Sequence, residues 1–260
     1  MAGFFGLFNY EKEGPGIPKD APQQKTFIVF FRIFKTNFWK FIPVSLVYIF
    51  LSLLLFTNGL ANAGITNVCR NTARDKHSFG MSDFFETVKK NWKQSLIAGI
   101  INLLIYAVSG YSAWFYRTNF YANNNTFSLV GYGIILSVLL LFTFAQYYIW
   151  TMIITFDMKL KDIYKNSFKI AIANLWRNIL VGILLLITYA IYAVIIIFVP
   201  YVAVWVLVGL MAVCTLPAYR FLMIQFVAFP AIKKYMIDPY YKEHPELDIE
   251  KRRSLGLIDE

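Results

Sequence analysis

The sequence predicts an all-α membrane protein: about six transmembrane helices in three hairpins, each hairpin introduced by a short amphipathic helix. Three observations predict it. Long stretches carry no charge, Lys and Arg collect on one side of those stretches, and an Asn, Trp and basic residue recur together three times. Of the 260 residues, 58% are hydrophobic, 18% aromatic and only 15% charged, where a soluble domain carries about 25% charged residues. A disordered chain, a disulfide-stapled module and an ordinary soluble enzyme are all poor fits to that composition.

The spans follow from the gaps between charges. Residues 44–69, 94–116 and 118–156 contain no ionisable Asp, Glu, Lys or Arg, and residues 178–232 contain only Arg220. A helix crossing about 30 Å of hydrocarbon needs roughly 20 mostly apolar residues. Phe41–Phe56 supplies a first crossing, Gln94–Tyr116 and Leu129–Phe156 two more. The run from Asn178 to Ile232 is too long for one crossing, and Pro200 divides it into two.

Residues 59–74 are less obvious. Thr57-Asn58-Gly59 is a turn signal, and the segment after it is small, polar and weakly apolar. Loops on the cytoplasmic side accumulate Lys and Arg. Basic residues from Lys12 to Lys40 precede the first span, and Arg70, Arg74, Lys76, Lys89, Lys90 and Lys93 follow this segment. Both flanks therefore belong on one side, and the chain is expected to return through residues 59–74 as a sixth helix. Its small residues suit it to the inside of the bundle. With six crossings and both termini cytoplasmic, Arg117 alone of the 25 Lys and Arg faces outside and Arg220 alone lies in a span. No cleavable signal precedes the first span.

Asn37-Phe-Trp39-Lys40, Asn91-Trp92-Lys93 and Asn174-Leu-Trp176-Arg177 each open an ascending span. Before the second, Met81, Phe84, Phe85, Val88 and Trp92 recur at helical spacing, with Ser82 as expected N-cap. Before the third, the stripe is Leu160, Ile163, Tyr164, Phe168, Ala171, Ile172, Leu175 and Trp176. An amphipathic helix of this kind lies in the membrane surface, and Trp beside a basic residue anchors it at the headgroups. Trp39, Lys40, Trp92, Lys93, Trp176 and Arg177 are thus candidate interfacial anchors. The expected organisation is a cytoplasmic arm at 1–25, a transmembrane domain at 26–235 (hairpins at about 26–75, 81–158 and 160–235) and a cytoplasmic tail at 236–260. In that tail, Asp238-Pro239 and Pro245 are expected to prevent helix. Phe4, Phe5, Phe8 and Tyr10 in the arm call for burial.

The run Phe4-Phe5-Gly6-Leu7-Phe8-Asn9-Tyr10-Glu11-Lys12-Glu13-Gly14-Pro15-Gly16-Ile17, with Phe38-Trp39-Lys40, Ser82-Asp83-Phe84-Phe85 and Phe156-Asp157-Met158-Lys159-Leu160-Lys161-Asp162, resembles the YesL-like family of bacterial polytopic membrane proteins. The chain departs from that pattern after the first span, where Thr57-Asn58-Gly59 and Asn62 replace a Pro-rich turn and a more hydrophobic helix. The resemblance implies a bacterial plasma-membrane location. It also implies an accessory role beside carbohydrate importers of the ATP-binding-cassette type, whose permease or ATPase subunits would be the partners. It brings no active site with it.

The motifs agree with a non-enzyme. No phosphate-binding loop, zinc-protease motif or nucleophile elbow occurs, and Cys69, Cys214, His77 and His244 have no ligand spacing. No catalytic residue, cofactor or metal is expected, and no folded basic domain exists to bind nucleic acid; the net charge of +10 reports topology and attraction to the lipid bilayer. No Asp or Glu lies in a span, which disfavours proton coupling. Arg220 stands 13 residues before Lys233, about 20 Å into the membrane. Gln146 stands 13 before Lys159, so the two can line one polar site. Arg220 reads either as glue between helices, held by carbonyls such as the one Pro217 frees, or as a ligand for an anion, a sugar or a partner's carboxylate. The aromatic cluster from Tyr106 to Tyr121 reads as an interfacial belt or as sugar-stacking rings. Three functions follow: an accessory or scaffold subunit of a carbohydrate importer, a channel or facilitator with its path near Arg220 and Gln146, or a membrane sensor or lipid-binding module.

Overall fold

The computed structural model describes residues 26–74, 76, 78–123 and 125–244. The aromatic arm, His77 and the tail beyond His244 lie outside the described residues. The chain folds into α1 (Thr26–Thr36), α2 (Phe38–Leu53), α3 (Asn58–Ala73), α4 (Met81–Asn123), α5 (Thr126–Thr155), α6 (Leu160–Ala173), α7 (Leu175–Phe198), α8 (Val202–Ile232) and α9 (Asp238–Glu243). No strand occurs among the described residues.

Four helices are long and apolar enough to cross a membrane: α4, α5, α7, and α8 with its continuation to Glu243. The count rises to five if α1 and α2, which meet at a 79° bend, form one broken span. Six full-length spans are not what the helices provide. α2 and α3 have 16 residues each, about 24 Å of helix against a core of about 30 Å. They form a short hairpin whose 3-10 turn, Leu55–Thr57, is held by the Thr57 hydroxyl on the carbonyls of Leu51 and Leu54.

α3 is the centre of the bundle. Ten of its 16 residues are buried, and it packs along α4. A Cβ on Gly59 would run into the Ser95 carbonyl and the Gly99 backbone, so only glycine allows the two helices to approach this closely. Further along, Gly64 lies against the Phe84 ring, and Asn67 Nδ2 donates to Thr87 Oγ1 at 2.6 Å.

The three introductory helices depart from expectation. α4 runs unbroken from Met81 to Asn123, straight through Trp92. α3 lies against its residues from Phe84 to Gly99 and so splints the place where a bend was expected. α1 and α6 do end at Asn37 and Asn174, but they turn their apolar stripes onto the bundle. Phe30 of α1 packs on Tyr219 and Phe226, with ring centroids 5.4 and 5.6 Å apart, and Ile163, Ile170 and Ala171 of α6 are buried. Helix-to-helix contact satisfies those faces as well as lipid would. The N-cap also differs: α4 begins at Met81, after Gly80 with φ of +61°. There the Asp83 carboxylate, and not Ser82, accepts a backbone hydrogen bond, donated by Phe79 N–H at 3.2 Å. Beyond α8, a π-helical turn, Lys233–Ile237, leads into α9. Pro239 does not break this segment, because it stands in the first turn, where no intrahelical donor is needed.

Candidate functional site

A cavity of about 270 Å³ lies between α3, α4, α5 and α8, large enough to hold several waters or a small solute. It exists because the α2–α3 hairpin stops short. Leu55 and Asn58, at the turn, border it, while α4, α5 and α8 continue past. Asn58, Asn62 and Thr66 all line it, and their spacing of four places them on one face of α3. Asn102 and Tyr106 come from α4, Gln146, Tyr147 and Trp150 from α5, and Arg220 and Gln225 from α8.

Arg220 and Gln146 therefore border the same space. Gln146 is buried and exchanges two hydrogen bonds with Asn102: Asn102 Nδ2 donates to Gln146 Oε1 at 2.9 Å, and Gln146 Nε2 donates to Asn102 Oδ1 at 3.0 Å. The Tyr164 hydroxyl, from α6, also donates to Asn102 Oδ1, at 2.7 Å. Arg220 is different. Among the described residues its guanidinium makes no hydrogen bond and no ion pair; it stands 5.6 Å from the centroid of the Phe221 ring. The carbonyl that Pro217 frees is not its partner. Instead, the backbone N–H of Ala218 donates to Ser45 Oγ at 3.3 Å, which ties this part of α8 to α2.

Deeper toward the basic end of the bundle, Gln225 Nε2 donates to Thr151 Oγ1 at 3.0 Å, and the Thr155 hydroxyl donates to the Thr151 carbonyl at 2.5 Å. Arg70 then reaches Thr155 Oγ1 and Asn67 Oδ1, both at 2.7 Å. Past this layer lies a second cavity of about 440 Å³, bordered by Arg74, Thr155, Phe229 and Tyr241. The Arg74 guanidinium sits 4.3 Å from the Phe229 ring centroid. On α5 the two cavities are bounded by Trp150 and Thr155, and on α8 by Gln225 and Phe229, so the layer between them is about 6–8 Å thick. Burial holds the Arg74 guanidinium below its ordinary range, and burial together with the neighbouring Arg74 and Arg70 charges does the same to Lys76.

The Trp-basic pairs sit elsewhere. Trp39 and Trp176 are 81% and 80% exposed and Trp92 is half exposed, with the Lys93 ammonium 5.5 Å from its ring. Lys40 lays its stem beside Gly80. Trp176 and Arg177 border a separate cavity with Lys234 and Tyr235. None of these six residues reaches the central cavity. Of the external aromatic cluster only Tyr106 does; Phe120 and Tyr121 line another, with Arg117. Sequence reasoning did not single out Asn58, Asn62, Thr66, Asn102, Tyr164 or Gln225 as site residues. For α3 the signal was present, since polar residues at 58, 62 and 66 repeat every four positions inside a charge-free run. Among the described residues, no three His, Cys, Asp or Glu stand close enough to hold a metal ion.

A polar, carboxylate-free cavity inside a bundle of long apolar helices is the setting for the family comparison. Residues 41–113 match the family described as "Protein of unknown function, DUF624". The match spans α2, α3 and most of α4, an uncharacterised family's portion of the chain, and is consistent with the YesL-like resemblance. No curated protein and no solved structure matches the chain.

Proposed function

We propose that this chain is a non-enzymatic, multi-pass protein of the bacterial plasma membrane that conducts a small polar solute along its axis. The observation that carries this reading is the pair of cavities stacked on α3, α5 and α8 and separated by only the Arg70–Thr155–Thr151–Gln225 layer. Polar side chains inside a bilayer are costly and concentrate along solute paths. In this reading α4, α5, α7 and α8 cross the membrane, and the basic end faces the cytoplasm with both termini. α2 and α3 enter from that side and return to it. The absence of Asp and Glu from the spans makes the path a facilitated one, without proton coupling.

Osmotic swelling of liposomes containing only this chain, challenged in turn with small polyols, sugars and carboxylate salts, tests the proposal. Swelling faster than protein-free vesicles supports it, and Gln225→Ala is expected to speed the flux by thinning the layer. Permeability equal to that of empty vesicles would refute it.

The accessory role beside a carbohydrate importer is the second reading. It is favoured by the exposed Trp176 indole over the cavity that includes Arg177 and Lys234, an amphipathic surface at the basic end. Stoichiometric recovery of permease or ATPase subunits from gently solubilised membranes would select it over independent conduction.

A further inference from the structure

The geometry points to a small carboxylate-bearing solute, rather than a neutral sugar, as the occupant of the central cavity; this rests on the conduction reading and adds the ligand's chemical class. The argument is an inventory of donors and acceptors. An amide side chain offers one oxygen with two lone pairs and two N–H groups, and around this cavity every amide oxygen already accepts at least one bond. Asn58 Oδ1 accepts from Asn62 Nδ2, and Asn62 Oδ1 accepts from the Tyr48 hydroxyl at 3.4 Å. Asn102 Oδ1 accepts from both Gln146 and Tyr164, and Gln146 Oε1 accepts from Asn102. Gln225 Oε1 has the Thr151 hydroxyl at 3.3 Å.

What remains for a ligand is mostly donors. Both N–H groups of Asn58 and one each on Asn62, Asn102 and Gln146 are unspent, and so is every N–H of Arg220. No Asp or Glu borders the cavity to balance Arg220. A neutral sugar presents hydroxyls that donate as well as accept, whereas the unspent capacity of this wall is weighted toward donors: single lone pairs on Asn58, Asn62, Gln146 and Gln225 stand against the free amide N–H groups and the whole Arg220 guanidinium. A carboxylate only accepts, it neutralises Arg220, and Arg matches its two oxygens with a planar fork.

The test uses two probes of nearly equal size, D-glucuronate and D-glucose, which differ in the carboxylate. Each is titrated against the full chain in lipid nanodiscs, with calorimetry and thermal midpoint as readouts. Glucuronate is expected to bind the native chain and to raise its midpoint. Arg220→Gln is expected to weaken glucuronate by at least about tenfold, equivalent to 1.4 kcal/mol, while keeping the unliganded midpoint; Arg220→Lys, which keeps the charge, should retain part of the affinity. Equal binding of both probes, insensitivity to Arg220→Gln, or binding of neither overturns the inference. Vesicle swelling judges conduction separately, so a chain that conducts polyols without preferring glucuronate would fail only here.

Discussion

α3 and α7 meet the bilayer in opposite ways. α3 is made largely of Asn, Gly, Ala and Thr, yet ten of its 16 residues are buried. α7 is almost wholly apolar over 24 residues, yet buries only Asn178, Val181 and Leu185. In lipid, apolarity records contact with acyl chains, because no hydrophobic force drives one apolar helix against another there. Close packing instead needs small residues, and polar ones find partners across the interface. The hydropathy pattern therefore marks the outer wall of this bundle and passes over its centre.

The sharpest way to break the contrast is at Gly59. Gly59→Val drives a side chain into the Ser95 carbonyl and the Gly99 backbone, and overpacking against backbone is expected to cost about 3 kcal/mol or more. Loss of monodisperse protein on size exclusion, or a collapsed thermal midpoint, would be the sign; a native-like midpoint would mean that α3 and α4 are not in this contact.

A smaller effect is expected from Asn102→Leu, which removes the reciprocal bonds to Gln146 and the one from Tyr164. Interhelical hydrogen bonds within membranes average about 0.6 kcal/mol and reach about 1.7, so a loss of about 1–2 kcal/mol is expected for this pair in reversible unfolding from bicelles. The double variant with Gln146→Leu should cost less than the sum of the two singles, because they share the same bonds.

Water distinguishes the two helices without disturbing stability much. Asn58→Cys borders the central cavity and should react with a membrane-impermeant maleimide in proteoliposomes, whereas Leu186→Cys, exposed on the apolar face of α7, should not. Equal labelling would remove the cavity's claim to be wet. The smallest effect belongs to Leu186→Ala: lipid replaces the lost contact, and a change within about 0.5 kcal/mol is expected. A loss near 2 kcal/mol would place that face against protein.

Much of the wall was legible in the residues. The charge-free runs at 94–116, 118–156 and 178–232 fall largely within α4, α5, α7 and α8, and the amphipathic segments read up to Trp39 and Trp176 contain α1 and α6. Their seating did not follow, since an apolar stripe fits acyl chains and a neighbouring helix equally well. For the site, alignment by helix rise put Arg220 and Gln146 at one depth, and both border the central cavity. The rest of that wall escaped attention, because a lone Asn102 or Gln225 in an apolar run carries no local mark of where it points.

Two kinds of information are thus separable in this chain. Composition and charge order alone determined that it is a helical multi-pass protein and which segments are apolar enough to cross a membrane, since partition into hydrocarbon is a local free energy summed residue by residue. The basic flanks of the first hairpin also raise the expectation that the chain leaves and returns on one side. A full crossing and return meets that expectation, and so does a hairpin of about 24 Å. Only tertiary structure gave the lengths of α2 and α3 and the Gly59–Gly99 approach that seats α3 beside α4. The same packing left space above the short hairpin and gathered side chains from four helices around it. A cavity is a difference between the lengths of separate helices, and no stretch of sequence contains that difference.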